Sequence, residues 1–243
     1  MLGLMQDRPL LISSLLTHAE KFHGDNAIVS APCEGGIVRS SWGETAQRAR
    51  QGAQALERLG VKPGDRVATL AWNTHRHLEL YFSVPGMGAV LHTVNPRLFA
   101  EQLEYILNHG AAEVLAFDLP FLELVDSLAD KLSHLRHKIV LTDAAHMPTG
   151  RDDLLCYDTL LAAEAGDLVW PSLDERTASG LCYTSGTTGN PKGVLYSHRS
   201  TVLHAFLCCQ ADGLHLSRED STLLAVPLFH VNAWGIPHAS AMC

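Results

Sequence analysis

The chain is short of charge, and of positive charge above all. Only 18% of its 243 residues are charged, and 18 Lys and Arg stand against 26 Asp and Glu for a net charge of −8. A general nucleic-acid binder needs a basic face, so that class is excluded. Six cysteines are present, Cys33, Cys156, Cys182, Cys208, Cys209 and Cys243, and no two form a C-x-x-C pair. The adjacent Cys208 and Cys209 suit neither an ordinary disulfide nor a zinc knuckle, so the six read as buried free thiols of a reducing compartment. The apolar run Pro9 to Leu16 is far below the ~20 residues that span a bilayer, and it lacks a small-residue cleavage site. The expectation is therefore a cytoplasmic protein without a transmembrane segment, with peripheral contact at a membrane surface left open. There is no internal repeat and no low-complexity tract. The last 23 residues, Ser221 to Cys243, contain no acidic side chain.

The most specific segment runs from Tyr183 to Gly193: Tyr-Thr-Ser-Gly-Thr-Thr-Gly-Asn-Pro-Lys-Gly. Gly186, Gly189 and Gly193 let the backbone fold tightly and bring bare N–H groups to an anion. Thr184, Ser185, Thr187 and Thr188 add hydroxyl donors. Lys192 adds a point charge suited to phosphate, and Pro191 fixes one φ angle. A flexible Ser/Thr/Gly linker is the alternative reading. Apolar runs flank the loop on both sides (Gly180 to Tyr183, Val194 to Tyr196), which linkers rarely show. Nine fixed identities arise by chance at on the order of 10⁻¹¹ per starting position, given average residue usage. A Walker A loop is excluded as well, because Gly193 follows Lys192 where that motif needs Ser or Thr entering a helix. The segment is read as a polyphosphate loop between two strands.

Elsewhere the pattern alternates. Leu11, Leu15, Ala19 and Phe22 share one face of a docked helix. Asn26–Ser30 and Ile37–Trp42 read as two strands joined by a turn through Pro32, Gly35 and Gly36. Ser41-Trp42-Gly43-Glu44 is a capping box opening a helix that Gly60 ends. Strands at 66–71, 89–94, 113–117 and 138–142 alternate with helices at 75–87, 99–108 and 119–132. That order predicts an α/β fold of layered, parallel-rich sheets with flanking helices. The stretch 149–174 is turn-rich and polar and is expected to cross the surface. Strands at 180–183 and 194–196 flank the loop, a helix follows at 200–209, and Leu223–Val226 reads as a buried strand ending at Pro227.

Thr184 to Gly193 resembles the signature loop of the adenylate-forming superfamily, which contains acyl-CoA synthetases, peptide-synthetase adenylation domains and luciferases. Gly64-Asp65-Arg66-Val67-Ala68, Gly86-Met87-Gly88-Ala89-Val90 and Asn95-Pro96-Arg97-Leu98 look like the leading half of fatty acyl-CoA synthetases. Pro227-Leu228-Phe229-His230-Val231-Asn232-Ala233-Trp234 looks like that group's acyl-site segment. Medium- and long-chain fatty acid–CoA ligases are the nearest match. The resemblance implies that residues 1–243 are an incomplete N-terminal AMP-binding domain. The adenine and ribose contacts, a carboxylate metal ligand and a mobile lid would then have no counterpart here, and this chain alone would not complete the reaction.

It further implies a carboxylic acid attacking the α-phosphate of ATP, with Mg²⁺ present, and the acyl-adenylate passing to coenzyme A. Ser185, Gly186, Thr187, Thr188, Gly189, Lys192 and Gly193 would bind the phosphates, and Thr184 would turn its hydroxyl to Mg²⁺. Lys192 and His230 would be catalytic, with His230, Val231 and Trp234 beside the acid. His198 is left out of the site as a loop or cap residue. The absence of acidic residues after Ser221 argues against an ammonium-bearing substrate, and Val231, Trp234 and Ile236 offer apolar surface instead. Trp234 reads equally as the gate of an acyl tunnel or as a core aromatic. A short-chain or aryl acid on the same scaffold, or a non-catalytic nucleotide or acyl binder, are the competing readings. The resemblance also allows a homodimer.

Overall fold

The structure, a computed structural model, describes residues 1, 3–184 and 190–243. Helix α1 (Ile12–His23) opens the ordered elements. It is followed by the antiparallel hairpin β1 (Ala27–Ser30) and β2 (Val38–Ser41). Helix α2 (Trp42–Arg58) begins at the expected capping box, with the Glu44 amide donating to Ser41 Oγ at 3.2 Å and the Ser41 amide donating to Glu44 Oε2 at 2.9 Å. Then come β3 (Arg66–Leu70), α3 (His75–Gly86), β4 (Val90–Thr93), α4 (Ala100–His109), β5 (Ala112–Phe117), α5 (Leu122–Ala129), β6 (His137–Val140), β7 (Leu154–Cys156), α6 (Tyr157–Ala162), β8 (Ala178–Thr184), β9 (Lys192–Ser197), α7 (His198–Cys209) and α8 (Ile236–Met242).

Strands β3 to β9 form one seven-stranded sheet in the order β7-β6-β5-β3-β4-β8-β9, parallel throughout except for the antiparallel β8–β9 pair. The alternation of side chains along each strand divides the core in two. Val67, Leu91, Val114, Ala116 and Ile139 face a helical layer that includes α1, α2, α3, α7 and α8. Ala68, Leu70, Leu115, Phe117 and Val140 face α4 and α5. The chain steps from β3 to β4 in one direction and then returns past β3 to β5. Its crossover helices change face with that reversal, as crossovers of a single hand require. The chain reverses between β3 and β5, and open α/β sheets bind ligands at the carboxyl edge of such a point.

Four expectations need correction. The segment 149–174 is not only surface crossing: it contains edge strand β7 and helix α6, anchored by buried Leu154, Tyr157 and Leu161. Leu223–Val226 forms no strand, and Leu223 is 92% exposed. The carbonyls of Leu224 and Val226 instead accept from the Asn73 side-chain amide, each at 2.9 Å. Phe22 lies on the outer side of α1 and is exposed, while Leu11, Leu15 and Ala19 pack inward. Of the six free cysteines only Cys182 and Cys208 are buried; Cys33 is exposed and the others are half-buried.

Helix α3 is buried on nearly every side although it carries His75, Arg76, His77 and Glu79. An ion-pair network makes that tolerable. Arg76 Nη1 donates to Glu34 Oε1 (2.6 Å) and Nη2 to Asp158 Oδ2 (2.8 Å), and Arg48 bridges Glu79 (2.7 Å) and Asp158 (2.6 Å). Thr142 donates to the same Glu34 oxygen at 2.7 Å. His77 engages both ring nitrogens, with Trp72 O and Thr69 Oγ1 each 2.9 Å away.

Candidate functional site at the carboxyl edge of the sheet

Strand β8 runs parallel to β4 and carries the chain out past its carboxyl end. Strand β9 returns antiparallel, with Thr184 opposite Lys192 and Tyr183 opposite Gly193. The hairpin therefore holds Thr184 and Lys192 side by side, and the Thr184 hydroxyl donates to Lys192 O at 3.4 Å. Ser185, Gly186, Thr187, Thr188 and Gly189 lie outside the described residues. Lys192 and Thr184 are both exposed. Glycine at 193 answers a close approach: a Cβ there would stand 3.1 Å from Tyr183 Cζ and from Leu181 Cδ1. The Tyr183 ring is itself fixed, its hydroxyl 2.6 Å from His109 Nδ1 and its ring 5.2 Å from that of His92.

The second half of the site is the segment 224–235. Beyond the carboxyl end of β3, Asn73 accepts from the Leu228 amide at 2.7 Å, and the buried Tyr81 hydroxyl donates to Leu228 O. Phe229 is buried with its ring 5.7 Å from that of Trp72. The exposed Arg97 guanidinium lies over both rings, 5.7 Å from Trp72 and 5.9 Å from Phe229. These contacts leave His230 exposed at the end of a turn, its amide donating to Pro227 O at 3.0 Å. The sequence places it after a buried strand; the structure places it after a loop that Asn73 clamps.

From Val231 the backbone enters the left-handed region and stays there: φ is 48° at Val231, 47° at Asn232, 50° at Ala233, 56° at Trp234 and 69° at Gly235. A non-glycine residue there costs about 1–2 kcal/mol, and a β-branched residue such as Val231 is a pronounced outlier. A short left-handed helical turn of this kind persists only where its surroundings over-determine it. Ala233, fully buried, seals its inner side, and its amide donates to His230 O at 3.0 Å. Val231 and Trp234 point outward, 45% and 57% exposed. They form an open wall, so Trp234 is not a core aromatic. Asn232 and Gly235 tolerate left-handed backbone, but Val231, Ala233 and Trp234 give no such signal, so the turn was not legible in the sequence.

The structure thus brings Thr184, Lys192 and Gly193 together in one hairpin and His230, Val231 and Trp234 together in one turn. Both groups sit at the carboxyl edge of the parallel strands. Among the described residues, no hydrogen bond or ion pair joins His230 to Lys192. His198 lies elsewhere: it is fully buried at the start of α7, its Nδ1 accepts from the Ile12 amide at 3.3 Å, and burial lowers its pKa to about 4. Asp118, at the end of β5, is a titratable group that sequence reading missed. Burial raises its pKa to about 6, while its Oδ2 accepts from the Trp72 amide at 2.7 Å. The exposed Thr184 hydroxyl is an oxygen of the kind Mg²⁺ takes, an ion that uses few protein oxygens and keeps phosphates and waters as its other ligands.

Residues 15–243 match the model of the AMP-binding enzyme family. The chain is 51% identical over 246 residues to the 3-methylmercaptopropionyl-CoA ligase of Ruegeria lacuscaerulensis, covering 100% of this chain and 45% of that protein. It is 46% identical over 247 residues to the medium-chain-fatty-acid–CoA ligase of Ectopseudomonas oleovorans, covering 100% of this chain and 44% of that protein. The chain therefore spans under half the length of these curated relatives. Among solved structures, an anthranilate CoA ligase in complex with anthranoyl-AMP superimposes with a TM-score of 0.80 at 25% identity, over 96% of this chain and 45% of that one.

Proposed function

The chain belongs to the AMP-binding enzyme family, and we propose that the whole protein is an ATP-dependent acid–CoA ligase acting on a medium- or long-chain carboxylic acid with an uncharged tail. The observation that carries the reading is the shared edge. The Thr184–Lys192 hairpin and the His230–Trp234 turn are held by different anchors at the same carboxyl rim of the sheet. One supplies cation and hydroxyl for a triphosphate; the other supplies an imidazole beside an apolar wall.

The barrier to adenylation is mostly charge, because a carboxylate must approach a polyanion. Positioning and preorganised donors lower it. Lys192, exposed at the start of β9, holds a positive charge at the loop's exit and would bind the β- and γ-phosphates together with the loop amides. Gly193 admits the Tyr183 ring, which stiffens the hairpin that aims Lys192. Thr184 would hold Mg²⁺, which when bound neutralises phosphate charge. His230 would hydrogen-bond the acid's carboxylate, and Val231 and Trp234 would cover its tail with apolar surface. Coenzyme A would take the acyl group from the adenylate. A cytoplasmic location, where ATP and coenzyme A are available, goes with this reading.

A short acid on the same scaffold is the second reading. It is favoured by the 51% identity to a relative named for 3-methylmercaptopropionyl-CoA. Acid-dependent ATP–pyrophosphate exchange by the full-length protein, run over straight-chain acids from acetate to palmitate with 3-methylmercaptopropionate and benzoate, tests both. Exchange with medium and long acids supports the first reading, and exchange confined to short acids the second. No exchange with any acid would overturn the ligase assignment.

A further inference from the structure

The left-handed turn must be held by something outside itself, and the strongest hold comes from a residue given no role above. Thr93 ends β4 and is almost fully buried. Its hydroxyl donates to Asn232 Oδ1 at 3.0 Å. The other side of the same amide lies against β8, where a Cβ at Gly180 would approach Asn232 Nδ2 to 3.3 Å. Gly180 pairs with Leu91 of β4 on one side and Tyr196 of β9 on the other. The Asn232 side chain therefore sits on the backbone of the strand pair that frames the phosphate hairpin, while its own backbone is the second residue of the turn that presents Val231 and Trp234.

We propose that Asn232, anchored by Thr93 and accommodated by Gly180, is a positioning residue that fixes the acid-binding turn relative to the β8–β9 hairpin. The proposal rests on the ligase reading for its kinetic consequence, though not for its structural one. Asparagine suits the place twice over. It tolerates the left-handed backbone better than most residues, and its amide reaches the strand. Without the anchor the turn is free to relax toward ordinary backbone angles, and that relaxation moves His230 and Trp234 relative to the loop. A shift of the order of 1 Å at a reacting centre is enough to slow a bimolecular reaction strongly.

The test uses the full-length protein with Asn232→Ala, Asn232→Gly, Thr93→Val and Thr93→Ser. Asn232→Ala and Thr93→Val are expected to lower kcat/KM for the acid about tenfold or more, as misplacement of a substrate-positioning segment does, while KM for ATP stays within twofold. The Asn232→Ala, Thr93→Val double variant should be no worse than either single one, because both remove the same bond. Thr93→Ser keeps the hydroxyl and should restore wild-type kinetics. Asn232→Gly eases the left-handed backbone but lacks the amide, and should behave like Asn232→Ala.

A second readout needs no activity. Trp234 is the most exposed of the tryptophans whose exposure decides quenching, at 57% against 8% for Trp42. The fraction of emission quenched by acrylamide, assigned with Trp234→Phe, should change in Asn232→Ala and Thr93→Val but not in Thr93→Ser. An inactive wild type would remove the ligase reading and leave quenching to decide the anchor. Additive losses in the double variant, a wild-type-like Asn232→Gly, or unchanged quenching in Asn232→Ala and Thr93→Val would each overturn the proposal.

Discussion

Asn73 and Leu228 are joined by a 2.7 Å hydrogen bond across 155 positions of sequence, from the Leu228 amide to Asn73 Oδ1. The same side chain donates to the carbonyls of Leu224 and Val226. One asparagine after β3 thus does for residues 224–228 what a neighbouring strand would otherwise do. Asn73→Ala leaves three backbone groups short of a partner, with the Leu228 amide beside a buried side chain. The expected loss is about 1–3 kcal/mol of unfolding free energy, measured by urea denaturation, together with a fall in acid-dependent exchange. Asn73→Asp keeps the acceptor and loses both donations, and should fall between wild type and alanine.

Arg76 holds the buried network together. Its side chain is 6% exposed and pairs with Glu34, itself 5% exposed, and with Asp158. Removing one partner of a buried pair leaves an uncompensated charge, which costs about 3–5 kcal/mol. Arg76→Ala should therefore be strongly destabilised in urea or thermal unfolding. Exposed pairs are worth ~0.2–1 kcal/mol, so Arg176→Ala, which breaks only the pair with Asp174 on the surface, should unfold like the wild type. Equal behaviour of the two variants would show that the network carries no stability.

Acid should destabilise the fold well before its paired carboxylates titrate. Burial lowers the pKa of His75, His77, His198 and His238 to about 4 and that of His92 to about 3, from an ordinary 6.5. Between the folded and unfolded values the unfolded chain binds more protons. These histidines therefore stabilise the fold fully above about pH 6.5, and their contribution is lost as pH falls toward 4. Asp118 acts oppositely. Its pKa is raised to about 6, so the folded state keeps a proton that the unfolded chain has released, and its contribution grows as pH falls below 6. Buried Glu79, also raised by desolvation, has the same sign. His18, also lowered by burial, has the histidines' sign, and six groups against two leave a net loss. Urea unfolding at pH 7.5, 6.5, 5.5 and 5.0 should show a free energy that falls across this range. Among the described residues, neither ring nitrogen of His92 has a partner, so His92→Leu should flatten the decline without loss of stability at pH 7.5.

Much of the architecture was legible from residue patterns. The strands at 66–71, 89–94 and 113–117 showed themselves because they are buried on both faces and read as apolar runs, and α2 because its capping box is local. The β8–β9 hairpin was legible because two apolar runs bracket a glycine-rich segment. What failed was decided by distant partners. Leu223–Val226 has strand composition, yet its backbone groups find Asn73, which no local pattern announces. The burial of polar α3 depends on Glu34 and Asp158, which arrive from elsewhere in the chain. Strand β7 is only three residues long and acquires its identity from pairing with β6. At the candidate site, the left-handed path that exposes Val231 and Trp234 was not readable. That path depends on Thr93 and Gly180, about 140 and 50 positions away in a sequence whose periodicities act over a few residues.

Lys192 is the cation proposed to receive the triphosphate. Titration of the full-length wild-type protein and of Lys192→Ala with ATP and Mg²⁺, followed by calorimetry, addresses it directly. Loss of one charge-assisted contact predicts a Kd for ATP about 10–100-fold weaker at unchanged melting temperature. An equal Kd for the two proteins, or no ATP binding by either, would contradict it.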